Sequence, residues 1–190
     1  MTAPSPSDRR SLVVRLATPR GFCAGVDRAI QIVERALEKY GAPVFVRHEI
    51  VHNPHVVNDL QQRGAIFVDE IQDIPPGETV VFSAHGVAPS VWEEARAKGL
   101  RIIDATCPLV TKVHLEALRY ARDGYTIVLV GHRGHVEVIG TMGEAPENTV
   151  LIETPQEAAE LQVADPNRVV ALTQTTLSVA DTSKVIQVLK

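Results

Sequence analysis

Only two cysteines occur in the 190-residue chain, and they are not joined in a C-x-x-C pair. A disulfide framework is excluded by that count, and a compact zinc site, which commonly draws on such a pair, is disfavoured. No apolar stretch approaches the ~20 residues that cross a bilayer, so no membrane partner is expected. The opening Met1–Arg10 lacks an apolar core and Arg15 interrupts the apolar run after it, which argues against a signal peptide. A basic excess is missing too: 19 Lys and Arg against 23 Asp and Glu leave a formal net charge of −4. Phosphate backbones are neutralised by the opposite balance, so nucleic acid is not an expected partner. What remains is an ordinary soluble chain, 45% hydrophobic and 22% charged, able to bury a core and placed in a reducing cytoplasm. Paired thiols in that compartment more often serve metals or redox chemistry than disulfides.

Short apolar runs alternate with helical spacing along the whole length. The runs are Leu12–Ala17, Val44–Val46, Ala65–Val68, Thr79–Phe82, Leu100–Ile103, Thr126–Val130, Val150–Ile152 and Val169–Leu172. Continuously apolar runs of this length are how strands buried on both faces of a parallel sheet look. Between them, Val26, Ile30, Val33 and Leu37 share a helical face that ends at Gly41. Val110, Val113, Ala117 and Ala121 repeat the pattern behind Pro108, before Gly124. Further helices are expected near Pro89, Pro155 and Ser178, the last with Ser178 as its cap. The fold class is therefore α/β, as two similar small modules with mainly parallel sheets. Their expected bounds are 11–105 and 106–190, behind a disordered tail at 1–10. Cys23 precedes Gly41 by 18 residues and Cys107 precedes Gly124 by 17; His52 and His135 follow the same cysteines by 29 and 28. One strand–Cys–helix–strand–His unit used twice explains this spacing.

Cys23 and Cys107 each stand where a strand pattern passes into a helix. Amides and the positive dipole end at a helix start favour thiolate, the form that binds metal. Three histidines stand at strand ends: His52 in Val-His-Asn-Pro, His85 in Ser-Ala-His-Gly, and His135 in Gly-His-Arg-Gly-His-Val-Glu. Imidazole ligates metals and imidazolium binds phosphates, so the set suits either task. Ligands of open α/β sheets bind outside the carboxyl ends of the strands, where all these residues fall. His48, His55, His114 and His132 are less well placed and read as surface or packing residues. Glu137, two residues beyond His135 in a Gly-rich turn, is a candidate proton donor. Gln174 and Thr175, at the end of another strand, are free to face the crevice. Widely separated thiolates suit an iron-sulfur cluster better than zinc, though two cysteines leave at least one ligand short. Two other readings stand beside it: a non-enzymatic diphosphate- or nucleotide-binding module with structural cysteines, and a zinc hydrolase.

Gly21-Phe22-Cys23-Ala24-Gly25-Val26-Asp27-Arg28-Ala29, Glu49–Asn53, Phe82–Val87, Asp104–His114 and Thr173–Ser178 resemble, almost letter for letter, the 4-hydroxy-3-methylbut-2-enyl diphosphate reductase (LytB) family. The resemblance runs from about Val14 to the chain end. It implies a 4Fe-4S oxidoreductase of non-mevalonate isoprenoid biosynthesis that reductively dehydroxylates an allylic diphosphate to isopentenyl and dimethylallyl diphosphates. Ferredoxin or flavodoxin is the implied electron donor. Cys23 and Cys107 would ligate the cluster, and His52, His85 and His135 would hold the diphosphate. Glu137 would donate the proton, with Thr175 bonding the substrate hydroxyl and positioning that acid. Val136 and Ile139 depart from the Pro and Glu of many members. Family members also continue through a third module carrying a third cluster cysteine, and the chain ends at Lys190 without it. The resemblance thus implies either a fragment of a longer product or a truncated protein, whose 190 residues alone bind a cluster weakly and turn over little or no substrate.

Overall fold

The computed structural model describes residues 13–190. The expected tail at 1–10 lies outside the described residues. The elements run in order α1 (Ala24–Tyr40), β1 (Val44–Arg47), α2 (Pro54–Gln62), β2 (Ala65–Val68), β3 (Thr79–Phe82), α3 (Pro89–Ala97), β4 (Arg101–Asp104), α4 (Pro108–Arg122), β5 (Thr126–Val130), α5 (Val136–Glu144), β6 (Thr149–Ile152), α6 (Pro155–Glu160), β7 (Val169–Thr173) and α7 (Val179–Leu189).

All strand pairs are parallel, and they form two sheets, ordered β2-β1-β3-β4 and β6-β5-β7. Central position decides composition. β1, β3 and β5 lie between two neighbours and under helices on both faces, and their residues are almost wholly buried; the edge strands β4 and β7 are partly exposed. One side of the first sheet buries Ala29, Val33 and Leu60 of α1 and α2 against Val44, Val46 and Val81. Its other side buries Ala95, Ile71 and Ile74 against Phe45, Val80 and Phe82. In the second sheet Ala117 of α4 and Val138 of α5 cover Ile127 and Leu129, while Ala158 and Val185 cover Val128, Val130 and Ile152.

The two sheets share a wiring rule. In each, the first strand is central, the second lies on one side and the third on the other, so the chain reverses its direction of travel beside the first strand. Such a reversal opens a crevice at the carboxyl end of the sheet. The crevices fall between β1 and β3, and between β5 and β7. The units α1–β1 and α4–β5 that lead into them match in order, as the paired Cys-to-His spacings require.

Three features differ from the expectations. Residues 13–17 form no strand, and Val13, Val14 and Leu16 are 77%, 70% and 68% exposed. An apolar run needs a partner ladder to become a strand, and no described strand pairs with this one. α2 was not foreseen, although Asn53 caps it by accepting hydrogen bonds from His55 N and Val56 N, with Pro54 behind it. α5 replaces the expected Gly-rich turn around Glu137. Its Gly140 and Gly143 hide the helical pattern, and they are there for packing: a Cβ on Gly140 would stand 3.3 Å from Gly86 O, and one on Gly143 would collide with Ala88. Through that bare face α5 lies directly on the turn between β3 and α3.

Candidate thiolate and imidazole site

Cys23 and Cys107 are the N-cap residues of α1 and α4, and His135 is the N-cap of α5. Asn53, next to His52, caps α2. Four helix starts, with their positive dipole ends, therefore surround the side chains singled out from the sequence.

The two thiols meet. A Cβ placed on Gly25 would stand 2.7 Å from Cys107 Sγ and 3.8 Å from Cys23 Sγ, so the sulfurs are separated by no more than the total of those distances. Gly25, in the first turn of α1, is thus bare where Cys107 Sγ needs room. Arg28, one turn further on, donates from Nη1 to Thr106 O at 3.0 Å and fixes α1 to the segment leading into Cys107. Both cysteines are free, Cys23 exposed and Cys107 half-buried, and neither belongs to a hydrophobic core cluster. That placement removes the ground for the reading in which both are structural core residues. Among the described residues no group of three or more His, Cys, Asp or Glu side chains is arranged to hold a metal ion.

The three histidines also meet. His52 and His85 have ring centroids 4.3 Å apart, and His135 lies 5.3 Å from His52 and 5.7 Å from His85. They come from the ends of β1, β3 and β5, so both crevices contribute. In each ring Nδ1 is engaged by the protein: with Glu49 Oε2 at 3.2 Å in His52, with Ser83 Oγ at 3.1 Å in His85, and with the donating Glu137 N at 3.1 Å in His135. Nε2 is the nitrogen left for a ligand in all three. Thiols and imidazoles adjoin, because Cys107 N donates to Ala84 O at 2.9 Å, one residue before His85. Burial pushes His85 down to about 3, with the neighbouring His52, His135 and His48 adding to the effect. His135 is also held below the usual imidazole range, first by burial and then by His52 and His132. Three imidazoles this close resist being charged together unless an anion joins them.

Glu137 is 2% exposed and lies in the first turn of α5. Its carboxylate accepts a hydrogen bond from Thr175 N at 2.6 Å and another from Thr175 Oγ1 at 3.0 Å. Burial raises its pKa above the usual carboxyl value, and the Thr175 bonds and the charge of His114 oppose this. Thr175 therefore does not face the crevice unencumbered, as the sequence led us to expect. Nor does Gln174, which is buried, accepts from His132 N at 3.0 Å and donates to Thr176 Oγ1 at 2.9 Å. Two residues escaped the sequence reading. Gly25 matters through the atom it lacks, and His114, taken as surface or packing, is 8% exposed and bonded through Nδ1 to Glu144 at 2.8 Å. A histidine in mid-helix with a Glu far along the chain leaves no local signal.

Two parallel sheets, each reversing beside its first strand, with thiols, imidazoles and a buried acid gathered at their carboxyl ends, define a two-sheet α/β protein with one candidate site. The chain belongs to the LytB protein family, whose model matches residues 14–190. It is 60% identical over 177 residues to the 4-hydroxy-3-methylbut-2-enyl diphosphate reductase of Mycolicibacterium vanbaalenii, covering 93% of this chain and 52% of the relative. To that of Streptomyces coelicolor it is 59% identical over 190 residues, covering 100% of this chain and 55% of the relative. Among solved structures it resembles the E-1-hydroxy-2-methyl-but-2-enyl-4-diphosphate reductase of Plasmodium falciparum, with a TM-score of 0.87 at 44% identity, over 90% of this chain and 54% of that one. The chain spans about half the length of the curated relatives it matches.

Proposed function

We propose that this chain carries the crevice of a 4-hydroxy-3-methylbut-2-enyl diphosphate reductase, an iron-sulfur oxidoreductase of the non-mevalonate isoprenoid route. The observation that supports this reading most is the triangle of imidazoles from three strand ends, each with Nδ1 tied back and Nε2 left over. A diphosphate is a fitting occupant: it accepts several hydrogen bonds at once and lies among four helix starts, whose dipoles favour anions. The named relatives act on such a diphosphate.

The residues fit an iron-sulfur group on the side the chain supplies. Two thiols converge beside Gly25, whose missing side chain leaves room for Cys107 Sγ. Cys23 and Cys107 would hold the group, which when bound supplies the electrons for removing the substrate hydroxyl. The protein's own part is positional and acid–base. His52, His85 and His135 bind and orient the diphosphate. Glu137, whose pKa burial raises, gives its proton to the departing hydroxyl, and Thr175 holds that carboxyl in place while its hydroxyl oxygen accepts from the substrate hydroxyl. We further assign 11–105 and 106–190 as two modules, each built on one sheet. A ferredoxin or flavodoxin would deliver electrons in the cytoplasm, whose reducing poise suits two free thiols. No helix among the described residues is long and apolar enough to cross a membrane.

Binding of inorganic pyrophosphate tests the imidazole triangle. Burial holds His85 neutral, and a bound anion favours the charged ring, so binding is expected to take up protons. Calorimetry in buffers of different ionisation enthalpy reads that uptake. His85→Asn should reduce both the uptake and the affinity, the latter by about tenfold or more, as loss of a charge-assisted contact implies. Equal uptake and affinity in His85→Asn would remove the histidines from the anion site.

A further inference from the structure

Behind the composite site, one buried ring touches three of the segments that build it. His114 lies midway along α4, the helix that begins at Cys107. Its Nδ1 bonds Glu144 in the last turn of α5, the helix that begins at His135 and carries Glu137 in its first turn. Both side chains are nearly excluded from solvent, at 10% and 12% exposure. The far edge of the same ring presses on the turn of His85: a Cβ on Gly86 would stand 3.0 Å from His114 Cε1 and 3.2 Å from Nε2. Gly86 can accept this because it has no side chain and a φ of 77°. His114 Nε2 is buried and has no hydrogen-bond partner among the described residues.

A histidine–carboxylate pair costs desolvation that an apolar pair of the same shape would not, so packing alone does not account for it. We infer that His114, held by Glu144, is a positioning residue: it locks the helix of Cys107, the turn of His85 and the helix of Glu137 into one register and acts on the Glu137 carboxyl. The inference rests on the reading of Glu137 as the proton donor. Positive charge on the His114 ring opposes the burial that raises the Glu137 carboxyl. Asp104 of β4 lines the same small hollow as His114 and Glu144, with Thr106 and Thr111, and accepts from Thr106 N and Oγ1. Thr175 meets Glu137 from the opposite side.

Carbon NMR titration of the Glu137 carboxyl in the full chain tests this, alongside pyrophosphate affinity. His114→Phe keeps a ring in the pocket but removes the bond to Glu144 and the charge. It is expected to raise the Glu137 midpoint and to weaken pyrophosphate binding about tenfold or more, as loss of a residue that orients site ligands typically does. His114→Gln retains a donor for Glu144 and should recover most of the affinity while still showing the raised midpoint. A ring that only fills space would leave the midpoint where it is, and an unchanged midpoint in either folded variant overturns the inference. Should His114→Phe fail to fold, His114→Gln carries the same midpoint test. Wild-type chain that does not bind pyrophosphate would instead remove the functional reading, and the Glu137 midpoint would still judge His114 alone.

Discussion

Alanine at Cys107, or at Cys23, is expected to abolish the brown visible absorbance that the wild-type chain acquires when iron and sulfide are added without oxygen. The size of the effect follows from the count. The chain has two cysteines, both at helix starts and both bordering the space above Gly25. Removing either leaves a single thiolate, and among the described residues no cluster of acidic or imidazole side chains is arranged to take its place. Cluster ligation by thiolate is not replaced by water at comparable affinity, so the loss should be near complete rather than graded. The fold should survive, because neither side chain lies in a core cluster. Absorbance of wild-type intensity in either folded variant would show that iron sits elsewhere.

Relative to the small turnover expected of the reconstituted chain, Glu137→Gln is expected to be slower by about a hundredfold to ten-thousandfold, the range that a positioned proton donor contributes. Binding of the diphosphate should change far less, since the imidazoles that hold it are untouched. Stability should move the other way. Burial raises the folded-state pKa of Glu137 above its unfolded value, so its contribution is present below about pH 4, where the unfolded carboxyl is protonated, and is lost as pH rises through the folded value. Glutamine has no charge to desolvate and keeps an oxygen for Thr175 N. The variant should therefore melt above wild type at neutral pH, with the gap closing in acid. A variant that is less stable at neutral pH, or fully active, contradicts the assignment of a buried acid.

Much of this architecture is written locally. Strands β1 to β7 fall on the apolar runs because central parallel strands must be apolar on both faces, and Pro108, Pro155 and Ser178 mark helix starts by chemistry confined to one turn. The candidate residues were legible for a related reason: strand-end position is a sequence property once the strands are known, and the strand order then brings His52, His85 and His135 together. What escaped is non-local. Val13, Val14 and Leu16 look like a strand until one asks which edge would pair with them. α5 reads as a turn because Gly140 and Gly143 answer to the Gly86–Ala88 backbone rather than to helix propensity. The Glu137–Thr175 and His114–Glu144 bonds join residues far apart in the chain, and spacing carries no trace of them.

The most direct test is the phosphorus NMR signal of pyrophosphate bound to the reconstituted, reduced protein. Strong paramagnetic broadening in wild type, absent in Cys107→Ala and lost with the affinity in His85→Asn, is the predicted result. A bound phosphate signal that stays sharp beside a fully loaded iron centre would mean that sulfurs and imidazoles serve different places, and the account would fail.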